Sequence, residues 1–328
     1  MTVNSNSTVD VSIIIVSWNV CDLLTQCLDT ILASPVNAVS DDDDMPLTDH
    51  MTVEIIVVDS ASTDDTVRVI AEQYPQVTLL AQTENVGFTR GNNIGLEVAR
   101  GRYLFLLNPD TEVLNDAIPQ MVAYLGDHPA VGIVGPHTLN TDGTTQSSRR
   151  HFPTKQLAFF ESTWLQPLAP QSILDHYTIA NMPDDAVIPV DWVQGSALIA
   201  RREVYADIGG LDEGYVMYSE EMDWCKRARD AGWNATYLGT AQIIHHGGKS
   251  SEQVGAHKHI WFQESKVRYF RKHHGTGFAT LLRLFLLVSY LWQIAIESAK
   301  GALGHKREMR RERVQTYWKV VRSGLKGN

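Results

Sequence analysis

Cysteine is scarce in this chain: Cys21, Cys27 and Cys225 are all it has among 328 residues, and no two stand in a CxxC or zinc-like spacing. So odd and scattered a set excludes a disulfide framework and reads as reduced thiols in a cytosolic protein. The N-terminus, "MTVNSNSTVDVSIIIVSW", lacks a basic region, and its apolar run is too short for a signal peptide, so secretion is not expected. No GxGxxG follows that first run, which weakens a dinucleotide reading. Positive charge is also short. The first 270 residues hold 16 Lys or Arg against 35 Asp or Glu, and an acidic body of this kind argues against nucleic acid as a partner.

Basic residues gather at the other end. From Arg271 to Asn328 there are twelve Lys or Arg against Glu297, Glu308 and Glu312, a net of +9. The tail is therefore a different kind of segment from the body. A boundary is expected at 270/271, with one α/β domain over 1–270 and a basic, amphipathic helical segment over 271–328.

Three apolar runs, "VSIIIVS" (11–17), "VEIIVVD" (53–59) and "YLFLLN" (103–108), alternate with helix-like stretches near 20–33, 63–74 and 90–100. This is the rhythm of a mostly parallel sheet with helices on both faces. "VTLLAQ" (77–82) and "VGIVGP" (131–136) add strands, and a helix is expected around "SEEMDWCKRARDAG" (219–232). Four consecutive acids, Asp41 to Asp44, sit between the first helix and the second strand. They read as a solvated loop, with an acidic metal site as the alternative.

The run from Tyr103 to Leu107 shows no polar alternation, so both its faces are covered. Pro109 ends its ladder and fixes a turn. Asp110 is thereby delivered to the carboxyl edge of the sheet, where open α/β sheets bind ligands. The competing reading is an Asp that caps a helix beginning near Thr111 to Leu114. Asp59 ends another strand at the same edge, and neighbouring strand ends that each offer a carboxylate make a place for a nucleotide or a metal ion.

The segments "VSIIIVSWN", "IIVVDSASTDDT", "ENVGFTRGNNIG", "FLLNPDTEV", "VQGSALIARREVYADIGGLDEGYVMYSEEMDWCKR" and "IIHHGGKS" occur in the order found in family 2 glycosyltransferases. Over roughly residues 11–255 the chain resembles that family, and most closely its bacterial rhamnosyltransferase-like branch. The resemblance implies the GT-A (nucleotide-diphospho-sugar transferase) fold, with a C-terminal helical tail outside it. It also implies inverting transfer of a sugar, rhamnose in that branch, from a nucleoside diphosphate to a glycolipid or polysaccharide precursor. The rival readings are a nucleotidyltransferase, which would need a glycine-rich basic loop where "SWNVCD" stands, and a sugar-nucleotide-binding or scaffold protein that keeps the fold without catalysis.

Residue by residue, the resemblance puts Ser17, Asn19 and Asp59 in the cleft of the nucleobase and ribose. Asn85, Arg90 and Asn93 then face the donor sugar nucleotide. Asn108, Pro109 and Asp110 match the DXD-type signature, whose last acid holds a divalent cation against the diphosphate; Asn108 replaces its first acid. His245 matches the HxGGxS position as a second metal ligand. A cation is also what the charge requires, since an acidic cleft repels a diphosphate unless a cation bridges them. Mg²⁺ is satisfied by one or two carboxylates plus phosphate and water, and an imidazole ligand favours Mn²⁺.

Glu220, Glu221 and Asp223 follow Ser219 at a helix start, where acids are favoured for capping alone. An inverting transfer also needs a general base. The resemblance assigns that role to Glu221, with Glu220 as its competitor. Trp192, Gln194 and Gly195 resemble the segment at the donor–acceptor junction, although an aromatic in a strand also serves a core.

In the tail, "FATLLRLFLLVSYLWQIAIES" (278–298) is interrupted by Arg283 and falls short of a spanning helix. Phe285, Tyr290 and Trp292 suit a bilayer interface, and the basic stretch after them suits anionic head groups. A peripheral enzyme at the inner face of the cell membrane is expected. A dimerisation hairpin giving a homodimer, or a helix packed on the body, is the alternative.

Overall fold

Strand β1 (Val11–Ser17) is buried at every position. Its side chains divide by parity, as a pleated strand dictates. Val11, Ile13 and Ile15 pack with Leu24, Leu28 and Ile31 of the helix Cys21–Ala33, with Ile70, and with Ile118 and Met121 of the helix Ala117–Asp127. Ile14 and Val16 pack on the opposite face with Leu96, Trp224 and Ala228. A strand covered twice has no reason to alternate, which is why these runs look uniformly apolar.

The computed structural model describes residues 9–39, 51–247, 256–304 and 306–326. Asp41 to Asp44 lie outside the described residues, as do Lys249 and Ser250 of the "HHGGKS" stretch.

β2 is Val36–Ala38, β3 Met51–Asp59, β4 Val77–Ala81, β5 Tyr103–Leu107 and β6 Thr111–Val113. β7 is Val131–Leu139, β8 Thr145–Gln146, β9 Arg149–Arg150, β10 Val187–Val190, β11 Trp192–Val193, β12 Ala197–Arg201 and β13 Asn234–His245. The main sheet runs β10-β13-β7-β12-β5-β1-β3-β2, and β4 pairs with β3. β1 is parallel to both β3 and β5, and β4 continues the parallel set. β12 enters antiparallel between β5 and β7, while β7 and β13 are parallel to each other.

The helix Gly87–Val98 lies close on β1. A Cβ on Gly91 would sit 2.7 Å from Val16 Cγ1, and one on Gly95 2.4 Å from Ile14 Cγ2. The glycines of "TRGNNIG" are thus packing residues that let a helix backbone approach a strand.

Two expectations change. Thr111–Val113 is a strand, antiparallel to the end of β13 with Thr111 opposite His245, so no helix starts behind Asp110 and the capping reading falls. The loop between the first helix and β3 holds the short strand β2.

The chain divides into two compact units. The first, through residue 152, over 178–212 and over 221–250, contains the sheet; the second comprises 153–177, 213–220 and the residues from 251 onward. The expected boundary at 270/271 lies within the helix Ala256–His274. In the second unit the helix Thr276–Ala302 pairs with the helix Arg307–Ser323: Arg283 Nε donates to Gly324 O at 2.6 Å, Tyr290 meets Tyr317 at 5.5 Å between ring centroids, and Glu297 pairs with Arg310. Those contacts run in opposite directions along the two helices, which makes an antiparallel hairpin.

Candidate active site

The carboxyl ends of β1, β3 and β5 form one edge. Ser17 lies opposite Asp59 in the parallel register, and Asn108 follows the last residue of β5. At or beside this edge, Ser17 Oγ, Asp59 Oδ1, Asn108 Oδ1 and Ser196 Oγ are buried without hydrogen-bond partners among the described residues, as are Gln194 Oε1 and Glu221 Oε2. Buried oxygens are rarely left unsatisfied, and a ligand at this edge could supply the missing donors.

Asp59 Oδ2 accepts the Ser62 N–H at 2.9 Å, shaping the turn after β3. Asn19, at φ 53°, donates its N–H to Ser62 Oγ at 2.9 Å and accepts the Thr63 N–H at 2.7 Å. These bonds tie the turns after β1 and β3 together. Asn85 Oδ1 accepts from Ser60 Oγ at 3.0 Å and from the Gly87 N–H at 2.9 Å. Arg90 is exposed, 3.5 Å from Glu84. Both ends of the Asn93 amide grip Leu211, Nδ2 donating to its carbonyl at 2.9 Å and Oδ1 accepting its N–H at 2.8 Å.

Asp110 and His245 come together although β5 and β13 are not neighbours, because β6 carries the chain from one to the other. Asp110 is 3% exposed, His245 7%, and His245 Nε2 lies 3.3 Å from Asp110 Oδ1. The opposite ring nitrogen, Nδ1, is 2.7 Å from Gln146 Oε1. Gln146 Nε2 donates to Asn140 Oδ1 at 3.0 Å, which turns the Gln146 carbonyl toward His245. With Nδ1–H donating to that carbonyl, Nε2 is left as an acceptor, 3.4 Å from Asn108 Nδ2 and 3.3 Å from Asp110 Oδ1. An imidazole whose far N–H is held by a neighbour and a carboxylate beside its other nitrogen are groups that could share a cation. Among the described residues no group of three or more His, Cys, Asp or Glu is arranged to hold a metal.

Glu221 lies against the lead-in to β12. Its Oε1 accepts the Gly195 N–H at 3.4 Å, and a Cβ on Gly195 would come within 3.3 Å of Glu221 Cβ. Burial pushes the Glu221 carboxyl above its ordinary value; neighbouring N–H groups, including that of Gly195, and the charge of Arg150 pull it part of the way back. Next to Gly195, Ser196 O accepts the Asn108 N–H at 2.9 Å, so the carboxylate and the Asp110 turn hang on one short strand. Tyr218 and Ser219, both at positive φ (73° and 68°), lead into the helix Glu220–Asp230. A capping Ser sits in the β region, so the start of this helix is shaped by more than capping. Glu220 is buried and belongs to the second unit. Asp223 serves the scaffold, pairing with Arg227 at 2.8 Å while Arg227 donates to Ile208 O and Gly210 O.

Trp192 is half-buried and donates Nε1–H to His151 O at 3.0 Å, while the Gln194 N–H bonds Ser148 O at 2.9 Å. Sequence reasoning misses Gln146, Arg227 and the contact role of Gly195. Each acts on a partner distant in the chain, and no local spacing signals it.

The profile described as Glycosyl transferase family 2 matches residues 12–194. An N-acetylglucosaminyl-diphospho-decaprenol L-rhamnosyltransferase of Mycobacterium tuberculosis (strain H37Rv) is 27% identical over 207 residues, covering 59% of this chain and 66% of the relative. The alignment thus spans just under two thirds of that enzyme's length. Rhamnosyltransferase WbbL of Escherichia coli (strain K12) is 23% identical over 206 residues, 57% of this chain and 70% of that one. Among solved structures, a mannosyltransferase from Pyrobaculum calidifontis in complex with GDP-Man and Mn²⁺ superposes with a TM-score of 0.54 at 19% identity, covering 97% of this chain and 86% of that one. GalNAc-T7 with UDP, GalNAc and Mn²⁺ gives 0.52 at 15%, covering 72% and 43%. These likenesses show the GT-A fold.

Proposed function

The chain belongs to glycosyl transferase family 2, and from that premise we propose a metal-dependent, inverting enzyme that moves rhamnose from a nucleoside diphosphate to a glycolipid or polysaccharide precursor. The observation that carries the reading is the cluster of buried, unpartnered oxygens at the carboxyl edge of the sheet, with the Asp110–His245 pair and Glu221 joined to it. The rhamnosyltransferase names of the relatives support the choice of sugar.

Ser17 and Asp59 take the nucleoside, and Asn19 holds the turn that they share. Asn85, Arg90 and Asn93 shape the donor side, Asn85 and Asn93 by fixing turns. Asp110 and His245 would hold a divalent cation, and Asn108 stands beside them with Nδ2 3.4 Å from His245 Nε2. When bound, the cation neutralises the diphosphate and makes it a better leaving group. Glu221 takes the proton of the acceptor hydroxyl, and a raised carboxyl pKa is what a base working near neutrality needs. Trp192, Gln194 and Gly195 form the wall where donor and acceptor meet.

The diphospho-decaprenol in one relative's name supports a lipid-linked acceptor, and the second unit offers a surface for a membrane. Leu281, Leu284, Val288, Leu291 and Trp292 are 44–63% exposed and recur at helical spacing, forming one apolar stripe. The segment expected to fall short of a spanning helix instead belongs to one continuous helix, Thr276–Ala302, which by length and composition could cross a membrane. We assign it to peripheral attachment on an anionic surface, because the paired helix exposes Arg307, Arg311 and Arg322.

The deciding experiment is transfer from a panel of nucleoside-diphosphate sugars with Mg²⁺, Mn²⁺ or chelator. Turnover with a nucleoside-diphosphate rhamnose that EDTA abolishes is expected; equal turnover in EDTA would show that no metal is needed.

A further inference from the structure

A cavity of about 280 Å³ opens in the sheet-bearing unit, with Thr145, Gln146, Ser148, Arg149, Asp184 and Tyr237 in its wall. None of the roles above uses it. Yet two wall residues belong to the site: Gln146 holds His245 Nδ1, and Ser148 O holds the Gln194 N–H, one residue before the Gly195 that touches Glu221. Two residues of the wall are thus bonded to the site, one to His245 and one to the residue before Gly195.

The wall's charges cancel. Arg149 donates to Asp184 at 3.0 Å and to the carbonyls of Met182 and Pro183 at 2.6 and 2.9 Å, and it stacks 4.9 Å over the Tyr237 ring. The Thr145 hydroxyl, together with that guanidinium, keeps the Asp184 carboxyl below its usual range, so the pair stays ionised and balanced. Arg149 is the cation among the lining residues, and its charge is spent on Asp184 rather than offered to a phosphate. What remains is a wall of hydroxyls and carbonyls without uncompensated charge, since Arg149 also covers the ring of Tyr237, and such a wall suits a ligand that is neutral and hydroxyl-rich. The volume lies just below the range of about 300–1,000 Å³ that holds drug-sized ligands, hence one sugar ring rather than a nucleotide.

We propose that this cavity seats the terminal sugar ring of the acceptor and so presents its hydroxyl to Glu221. The inference rests on the glycosyl-transfer reading of the neighbouring residues. It names a recognition site and the uncharged pyranose that fills it.

Ala180, exposed on the cavity rim, permits a test that leaves the proposed machinery alone. Saturation-transfer NMR on the full chain with methyl glycosides of glucose, N-acetylglucosamine, galactose and rhamnose, each with and without UDP, dTDP and Mn²⁺, should show pyranose signals for at least one glycoside. Neither nucleotide should displace them. Ala180→Trp should cut those signals at least tenfold, while its melting temperature and its affinity for UDP and dTDP match wild type; Ser147→Phe, at another lining position, repeats the test. Absent signals, signals that survive both substitutions, or signals displaced by nucleotide would overturn the assignment. Nucleotide binding without glycoside binding sinks this inference alone, and glycoside binding without nucleotide binding sinks the donor reading instead.

Discussion

The main-chain N–H of Gly195 points at Glu221 Oε1 across 3.4 Å, and the space where a side chain would begin on Gly195 is taken up by the Glu221 stem. One residue type therefore sets where the carboxylate stands. Gly195→Ala should push Glu221 aside by a few tenths of an ångström to about 1 Å, and misplacement on that scale costs up to about 10²-fold in rate. The expected result is a lower kcat with unchanged donor affinity; an unimpaired kcat would mean that the carboxylate's seat is not critical.

Gln146 fixes which nitrogen of His245 carries the proton. Gln146→Leu should weaken Mn²⁺ binding by about 10- to 100-fold, the usual loss when a ligand histidine loses its supporting bond. Calorimetric titration with Mn²⁺ and a nucleoside diphosphate reads this directly, and wild-type affinity in the variant would show that the histidine needs no such partner.

Asn93→Ala removes both bonds to buried Leu211, leaving an N–H and a carbonyl unsatisfied. A loss of about 1–3 kcal/mol of stability is expected from denaturant titration. If stability holds while donor affinity collapses, Asn93 touches the donor itself.

The apolar stripe on the helix Thr276–Ala302 gives a membrane prediction. Leu284→Asp combined with Val288→Asp should release the full chain from vesicles rich in anionic lipid, and salt should weaken wild-type binding as it screens the basic helix. Binding that ignores both changes assigns the stripe to another partner, a second copy of the chain among them.

Much of this was legible in the sequence. β1, β3, β5 and β7 are buried on both faces, so their apolar runs announced themselves, and Asp59 and Asp110 could be put at strand ends without a structure. β6 could not be read. Three residues behind Asn108, Pro109 and Asp110 look like a helix start, and only the pairing of Thr111 with His245, from the far end of the fold, makes them a strand. Gln146 was illegible for the same reason, since its meaning lies in a histidine 99 positions away. The compact second unit draws on three separated segments, a grouping that neither composition nor charge records.

Burial also gives Glu221 a pH signature. Its carboxyl titrates higher in the folded chain than in the unfolded one, so between the two values the folded state binds more protons and stability falls as pH rises. Glu221→Gln, which cannot ionise, should therefore melt higher than wild type at about pH 8 and lose that advantage below the ordinary glutamate value of about 4.3. An equal melting temperature at that alkaline pH would place the carboxylate in water.

Whether Glu221 is the base is decided by comparing Glu221→Gln with Glu220→Gln. Neighbours on a helix point about 100° apart, so the two side chains cannot do the same work. Steady-state turnover and donor affinity, measured from about pH 5 to 9, should show Glu221→Gln losing about 10² to 10⁴ in kcat with donor affinity intact. The acid limb of the wild-type profile, set above the ordinary glutamate range by burial, should vanish in that variant. Glu220→Gln should cost less in kcat and keep the limb. A larger loss for Glu220→Gln, or a Glu221→Gln variant that turns over within tenfold of wild type, contradicts the account.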